Sequence, residues 1–194
     1  MGVNSLTRDT LNSTVKYTTA LAGNSIYDVS SMVPIATASS NSGVTTFDNI
    51  PQGYQDLRLV ISASIASGTS YPFISLNNDG TANASHTRLY GNGASAISER
   101  RTGDGVWYFG EIPFLTGSTM VGSLIIDILN YSNSVNFKTG ISRWAHDMNG
   151  SGQTHLTAHL KRTTAPITRL DFGPNSGPFS FYTATLYGIK AVGQ

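Results

Sequence analysis

An all-β, jelly-roll-like antiparallel β-sandwich with an extended N-terminal arm is the fold the sequence predicts, and three observations lead there. Apolar residues recur at every second position, as in Leu57, Leu59 and Ile61, which is the period of a half-buried strand. Turn chemistry built from Gly, Asn, Asp and Pro interrupts the chain about every ten to fifteen residues. After Ser25 no stretch carries apolar side chains at the three-and-four spacing a helix requires. Regular strands without helices imply a sandwich of the jelly-roll kind, with a closed barrel as the other solution. The chain divides into an arm, residues 1–25, and a sandwich domain, residues 26–194.

The arm carries Leu6, Leu11, Val15 and Leu21 among many Ser and Thr residues, with no stable period. Its β-branched threonines weaken any helix. Such a segment cannot bury its own apolar groups, so it orders on a partner or stays mobile. The expected role is anchoring to a neighbouring subunit through those four aliphatic side chains.

The sandwich opens with Met32 to Ala38 and Val44 to Phe47, and Pro34 suggests that the first of these strands lies at an edge. Phe47 and Ile50 then flank a turn of Asp48, Asn49 and Pro51, with Tyr54 beside it and Leu57 opening the long strand to Ile65. This is the expected structural corner: an aromatic is buried, the chain reverses, and proline clamps φ. Tyr71 to Asn77 leads into Asp79-Gly80, a hairpin signal answered by Thr87 to Tyr90. Val106 to Ile112 is the most aromatic stretch, with Trp107 and Phe109 on one face and Tyr108 on the other. Thr119 to Asn130 is the most apolar run and is expected to be a central strand buried on both faces. Val135 to Trp144 sets Val135, Phe137, Thr139 and Ile141 against Lys138 and Ser142, and Thr154 to Arg162, Ile167 to Phe172 and Phe179 to Ile189 complete the set.

Composition bounds the partners. Charged residues make up 12% of the 194 and the net charge is +1, against about 25% charged in an ordinary domain. No field of that size draws in nucleic acid or an anionic membrane, so neither is an expected partner. Ser, Thr, Asn and 20 glycines hydrate the surface without repelling a neighbouring copy. With no cysteine there is no disulfide, thiolate nucleophile or thiolate metal site. No apolar run reaches the length of a membrane span, and no Lys/Arg region precedes an apolar stretch at the N-terminus, so a soluble protein made in a cytoplasm is expected.

Two stretches are more specific than the rhythm of strands. Phe47-Asp48-Asn49-Ile50-Pro51, followed by Tyr54 and Asp56-Leu57, resembles the F-x-x-I-P-x-x-Y-x-D-L signature of a family of virion proteins in tailed phages, many of them cyanophages. The closing Ala184-Thr185-Leu186-Tyr187-Gly188-Ile189 resembles that family's C-terminal strand, and Ser31 to Thr37 its opening. Between Ser67 and Phe179 only the rhythm and short pieces such as Ile128-Leu129-Asn130-Tyr131 look similar, and Met1 to Ser25 has no counterpart. The resemblance implies a jelly-roll-like module on the particle, either a capsid decoration (cement) protein or part of a tail fibre, commonly trimeric. It implies no enzyme mechanism.

The candidates for chemistry are thin. His155 and His159 form H-x-x-x-H, a zinc pair on a helix, but on a strand they lie about 13 Å apart on one face, too far for one ion. Leu156, Ala158 and Leu160 occupy the opposite face, so the histidine side is expected to be polar, facing solvent or a subunit. His146 and Asp147 beside a Gly-rich loop suit loop capping. Glu99 and Glu111 sit in unrelated segments and do not make a glycosidase pair. Neither a nucleophile elbow nor a P-loop occurs. No catalytic, cofactor-binding or metal residue is therefore expected. Glu99-Arg100-Arg101 is expected in a loop, solvated or paired across a subunit contact. Trp107, Tyr108 and Trp144, with Tyr131 and Tyr182, could stack on sugar rings, although aromatics on strands are usually core residues.

The expected function is thus a non-enzymatic structural protein of a phage virion: a trimeric decoration protein on the capsid exterior, bound to the major capsid protein. The alternative is a tail-fibre or tail-spike module that recognises a host surface glycan.

Overall fold

The computed structural model describes residues 31–40, 43–65, 69–110, 112–113, 121–147 and 149–191. The arm anchors Leu6, Leu11, Val15 and Leu21, and also Glu111, lie outside the described residues. Among the described residues there are fourteen strands and no helix. In chain order they are β1 (Met32–Ser40), β2 (Thr45–Phe47), β3 (Asp56–Ile65), β4 (Thr69–Ser70), β5 (Phe73–Leu76), β6 (Ala84–Gly91) and β7 (Ala96–Asp104). There follow β8 (Trp107–Tyr108), β9 (Ile112–Pro113), β10 (Gly122–Leu129), β11 (Lys138–Asp147), β12 (Gly152–Lys161), β13 (Leu170–Gly173) and β14 (Phe179–Ile189).

The strands form an eight-stranded sheet, β1-β14-β3-β10-β11-β12-β6-β7, a four-stranded sheet, β2-β13-β5-β8, and the small pair β4-β9. Every pairing is antiparallel. One hydrophobic core joins the two larger sheets: Leu57, Leu59, Ile61, Ile126 and Leu186 from the long sheet meet Phe47, Ile74, Leu76, Leu170 and Phe172 from the short one. Phe172 stacks on Phe179 at 5.3 Å and meets Tyr182 edge-on at 5.9 Å, an aromatic seam between the sheets. This is the sandwich the alternating sequence predicts.

The corner closes one end of it. Phe47, Ile50 and Leu57 are buried and Tyr54 is half-buried. Asn49 turns the chain with φ 54°, a left-handed conformation that asparagine tolerates. The Ile50 amide donates to the Thr168 carbonyl at 3.0 Å, and the Gln52 side-chain amide donates to the Ile50 and Ile167 carbonyls. Tyr54 lies over Gly188, where a Cβ would run into its ring. The Tyr131 hydroxyl donates to the Pro51 carbonyl, and the Asn130 amide donates to Asp56 at 2.8 Å. Three separated sequence pieces, the corner, the Ile128–Tyr131 segment and the closing strand, therefore meet at one place.

Four expectations change. Strand β10 is central, between β3 and β11, but only one face is fully buried: Leu124, Ile126 and Ile128 point inward while Ile125 and Asp127 are half-buried. Asp79-Gly80 closes no hairpin, because β5 belongs to the short sheet and β6 to the long one; the reversal is at Asn77 and Asn78, both with positive φ. Glu99, Arg100 and Arg101 lie within β7, the edge strand beside β6, and not in a loop. In β11 and β12 the polar set faces inward: Lys138, Ser142, His155, Thr157 and His159 are buried, while Ile141 and Leu156 are exposed; Val135 and Phe137, expected to open the strand, precede β11 and are exposed too.

Candidate functional site

The outward face of the long sheet follows from that inversion. Register sets Asp127 of β10 beside Ile141 of β11 and Ala158 of β12, and Ile125 beside Arg143, Leu156 and Leu89 in successive strands. Residues in register across antiparallel strands point to the same side, so Leu89, Leu129, Ile141 and Leu156 share one surface. They are 42–54% exposed. The charges among them are partly internalised: Arg58 grips Asp127 through Nε at 2.6 Å, and Arg143 lies 3.9 Å from the same carboxylate. Val135 and Phe137, 76% and 52% exposed, stand in the turn before β11.

The inward face of the same strands carries all four histidines of the chain, His86, His146, His155 and His159, each at most 8% exposed. Gly140 lies opposite His159, and a Cβ there would sit 2.8 Å from the Trp107 ring, so the glycine makes room for the indole. Trp107 stacks on His159 at 5.2 Å, Phe109 meets it edge-on at 5.2 Å, and Tyr90 stacks on His155 at 4.9 Å. A neutral imidazole packs as an aromatic ring, whereas a charged one would be desolvated. Burial accordingly draws His159 down to about 3 and His155 to about 4, with the Arg88 charge adding to both; His86 is lowered by the same two causes. Ser142 Oγ lies 2.9 Å from His159 Nε2, and Gln153 Oε1 2.8 Å from His155 Nε2.

At the β6-β7 end this interior opens into a cleft of about 300 Å³, bounded by Tyr71, Arg88, Glu99, Arg101, Tyr108 and Asn175. Arg88 forms its floor with its side chain 6% exposed. It pairs with Glu99 at 2.9 Å and donates to the Phe109 carbonyl at 3.1 Å, leaving Nε without a partner. Arg101 pairs with Asp104 at 2.9 Å and lies 5.2 Å over the Tyr108 ring.

No family model, curated protein or solved structure matches the chain.

Trp107 and Trp144 are each 1% exposed, and Tyr131 and Tyr182 are buried too, so none of these rings presents a face to a sugar. The stacking role expected of the two tryptophans is thereby corrected: Trp107 packs on His159 and Trp144 beside His146. Tyr108, half-buried, is the member of the set that reaches the cleft. His146 and Asp147 adjoin the loop at Gly150, whose amide donates to Asp147 at 2.9 Å, a capping role. His155 and His159 share a face but point into the core and not toward solvent or a subunit. Among the described residues no group of three or more His, Cys, Asp or Glu side chains could hold a metal ion. Sequence reasoning missed the cleft. Its one legible trace is parity: His86 and Arg88 share a face of β6, as Glu99 and Arg101 do of β7.

Proposed function

We propose that the chain is a non-enzymatic structural protein of a tailed-phage particle, a capsid decoration protein that acts as a homotrimer on the outside of the shell and binds the major capsid protein. The observation that supports this reading is the apolar outward face of the long sheet, with Leu89, Leu129, Ile141 and Leu156 presented together on a rigid surface. Exposed apolar groups clustered on one face mark contact surfaces. Fully burying such a side chain is worth about 1.5–3 kcal/mol, so covering the half still exposed yields about 1 kcal/mol each and roughly 4 kcal/mol for the four. That corresponds to an affinity of only about 1 mM. A single copy would adhere weakly, and a trimer engaging several neighbours at once would hold through effective concentration.

Copy number tests it. In purified particles a decoration protein is expected at a stoichiometry comparable to the major shell protein, measured by quantitative mass spectrometry. A count limited to the few copies of a fibre would overturn the proposal.

A further inference from the structure

The apolar outward face has a charge at its centre. Register places Arg143 of β11 between Ile125 of β10 and Leu156 of β12, and Ile141 and Ala145 flank it along its own strand, so its four nearest neighbours on that surface are all apolar. Its side chain is 59% exposed, and its guanidinium makes no hydrogen bond among the described residues. The carboxylate within reach is already committed. Both oxygens of Asp127 are held by Arg58, through Nε at 2.6 Å and Nη2 at 3.1 Å, while Arg143 Nη2 stands 3.9 Å away. The two cross-strand rows that Asp127 and Arg143 occupy hold Arg58, Arg143 and Arg100, which also borders the cleft, against that one carboxylate. This arrangement decides what can cover the face. Burying Ile125, Ile141 and Leu156 against a partner takes Arg143 out of water with them, and a desolvated cation without an acceptor would cancel the millimolar attraction that the apolar side chains supply. A carboxylate answers it, because two oxygens match the planar fork of donors. Phosphate fits the fork as well, but a nucleic acid backbone has no apolar surface to lay on the surrounding side chains. A second copy of the same face would set guanidinium against guanidinium, its Asp127 being taken.

We infer that the protein surface docked on the outward face presents an Asp or Glu carboxylate to Arg143, set among apolar groups that cover Ile125, Ile141 and Leu156. This names the chemistry of the partner in the assembly reading and rests on that reading. Arg143 is then the specific contact, and the leucines supply area around it. An arginine enclosed by apolar contacts that exclude water is the arrangement of an interface hot spot.

Co-sedimentation of the intact chain with particles stripped of it tests the inference, comparing wild type with Arg143→Met and Arg143→Glu, each of unchanged melting. Methionine keeps an apolar stem and removes the fork, so it separates charge recognition from packing. Arg143→Met should bind at least about thirtyfold more weakly, because the partner's carboxylate is left buried and unanswered, and Arg143→Glu more weakly still. Wild type that binds while Arg143→Met binds as tightly or more tightly would overturn the inference and leave the shell reading standing. No binding by wild type would overturn both. Two controls cover the other occupants. Self-association of the isolated chain in light scattering that Arg143→Met abolishes would put a second copy on the face, and flotation of wild type with phosphatidylglycerol vesicles that the same variant loses would put a membrane there; either result overturns the inference.

Discussion

Acidification should unfold this protein early, and the amount can be worked from two histidines. His155 and His159 are buried at 5% and 3% exposure, with burial holding them at about 4 and about 3. In the unfolded chain each returns to about 6.5. A base whose folded value is depressed is fully accommodated only above the unfolded value, so its contribution is intact at pH 7 and is lost as pH falls below about 6.5. At pH 5 the unfolded chain has taken up both protons and the folded chain almost none. The linkage cost is about 1.5 pH units at 1.36 kcal/mol per unit, or about 2 kcal/mol per histidine and about 4 kcal/mol for the pair. Against a typical stability of about 5–15 kcal/mol this is a large fraction. At this chain length it corresponds to a fall in Tm of about 8–16 °C. His86, lowered by burial and by Arg88, adds in the same direction. Urea unfolding at pH 7 and pH 5 reads the difference directly, and His159→Gln, which can keep a bond to Ser142, should remove about half of it. Equal unfolding free energies at the two pH values would refute the buried, neutral placement of these rings.

Three further outcomes are expected. Lys161 is fully buried and donates to the Asp79, Thr81 and Gly105 carbonyls at 2.8, 2.9 and 2.8 Å; Lys161→Met should cost about 3–5 kcal/mol in urea unfolding, because three carbonyls lose a charged donor. Gly188→Ala should cost roughly 1–3 kcal/mol by overpacking against Tyr54, and a double-mutant cycle with Tyr54→Ala should recover most of it; simple additivity would mean the two do not touch. Deleting residues 1–24 should leave the melting temperature of the sandwich unchanged and abolish co-sedimentation with capsids, and undiminished binding would remove the arm from the account.

Strand positions were legible because period two survives wherever one face meets a core, as in Leu57, Leu59 and Ile61. The corner was legible because Asn49 and Pro51 act locally. Which face of a strand turns inward is a different matter, decided by what packs against it. In β11 and β12 apolar and polar residues alternate cleanly, and hydropathy alone sends Ile141 and Leu156 inward and His159 outward. The short β8 and the residue after it reverse this by bringing Trp107 and Phe109 against His159, a contact between residues about fifty positions apart that no window reveals. The same holds for Asp79-Gly80: the dipeptide signals a reversal, but the chain leaves one sheet for the other there, and the destination depends on the β12 register with β6. The cleft escaped notice because Arg88, Glu99, Tyr108 and Asn175 come from four segments, and only the fold assembles them.

The claim that the outward face is an adhesive surface meets its most direct test in co-sedimentation of the purified chain with particles stripped of it. We expect the wild-type protein to saturate the particles and Leu89→Lys/Leu156→Lys, with unchanged melting, to bind at least about thirtyfold more weakly, as the loss of about 2 kcal/mol per copy requires. Binding by the double variant equal to wild type would contradict the account.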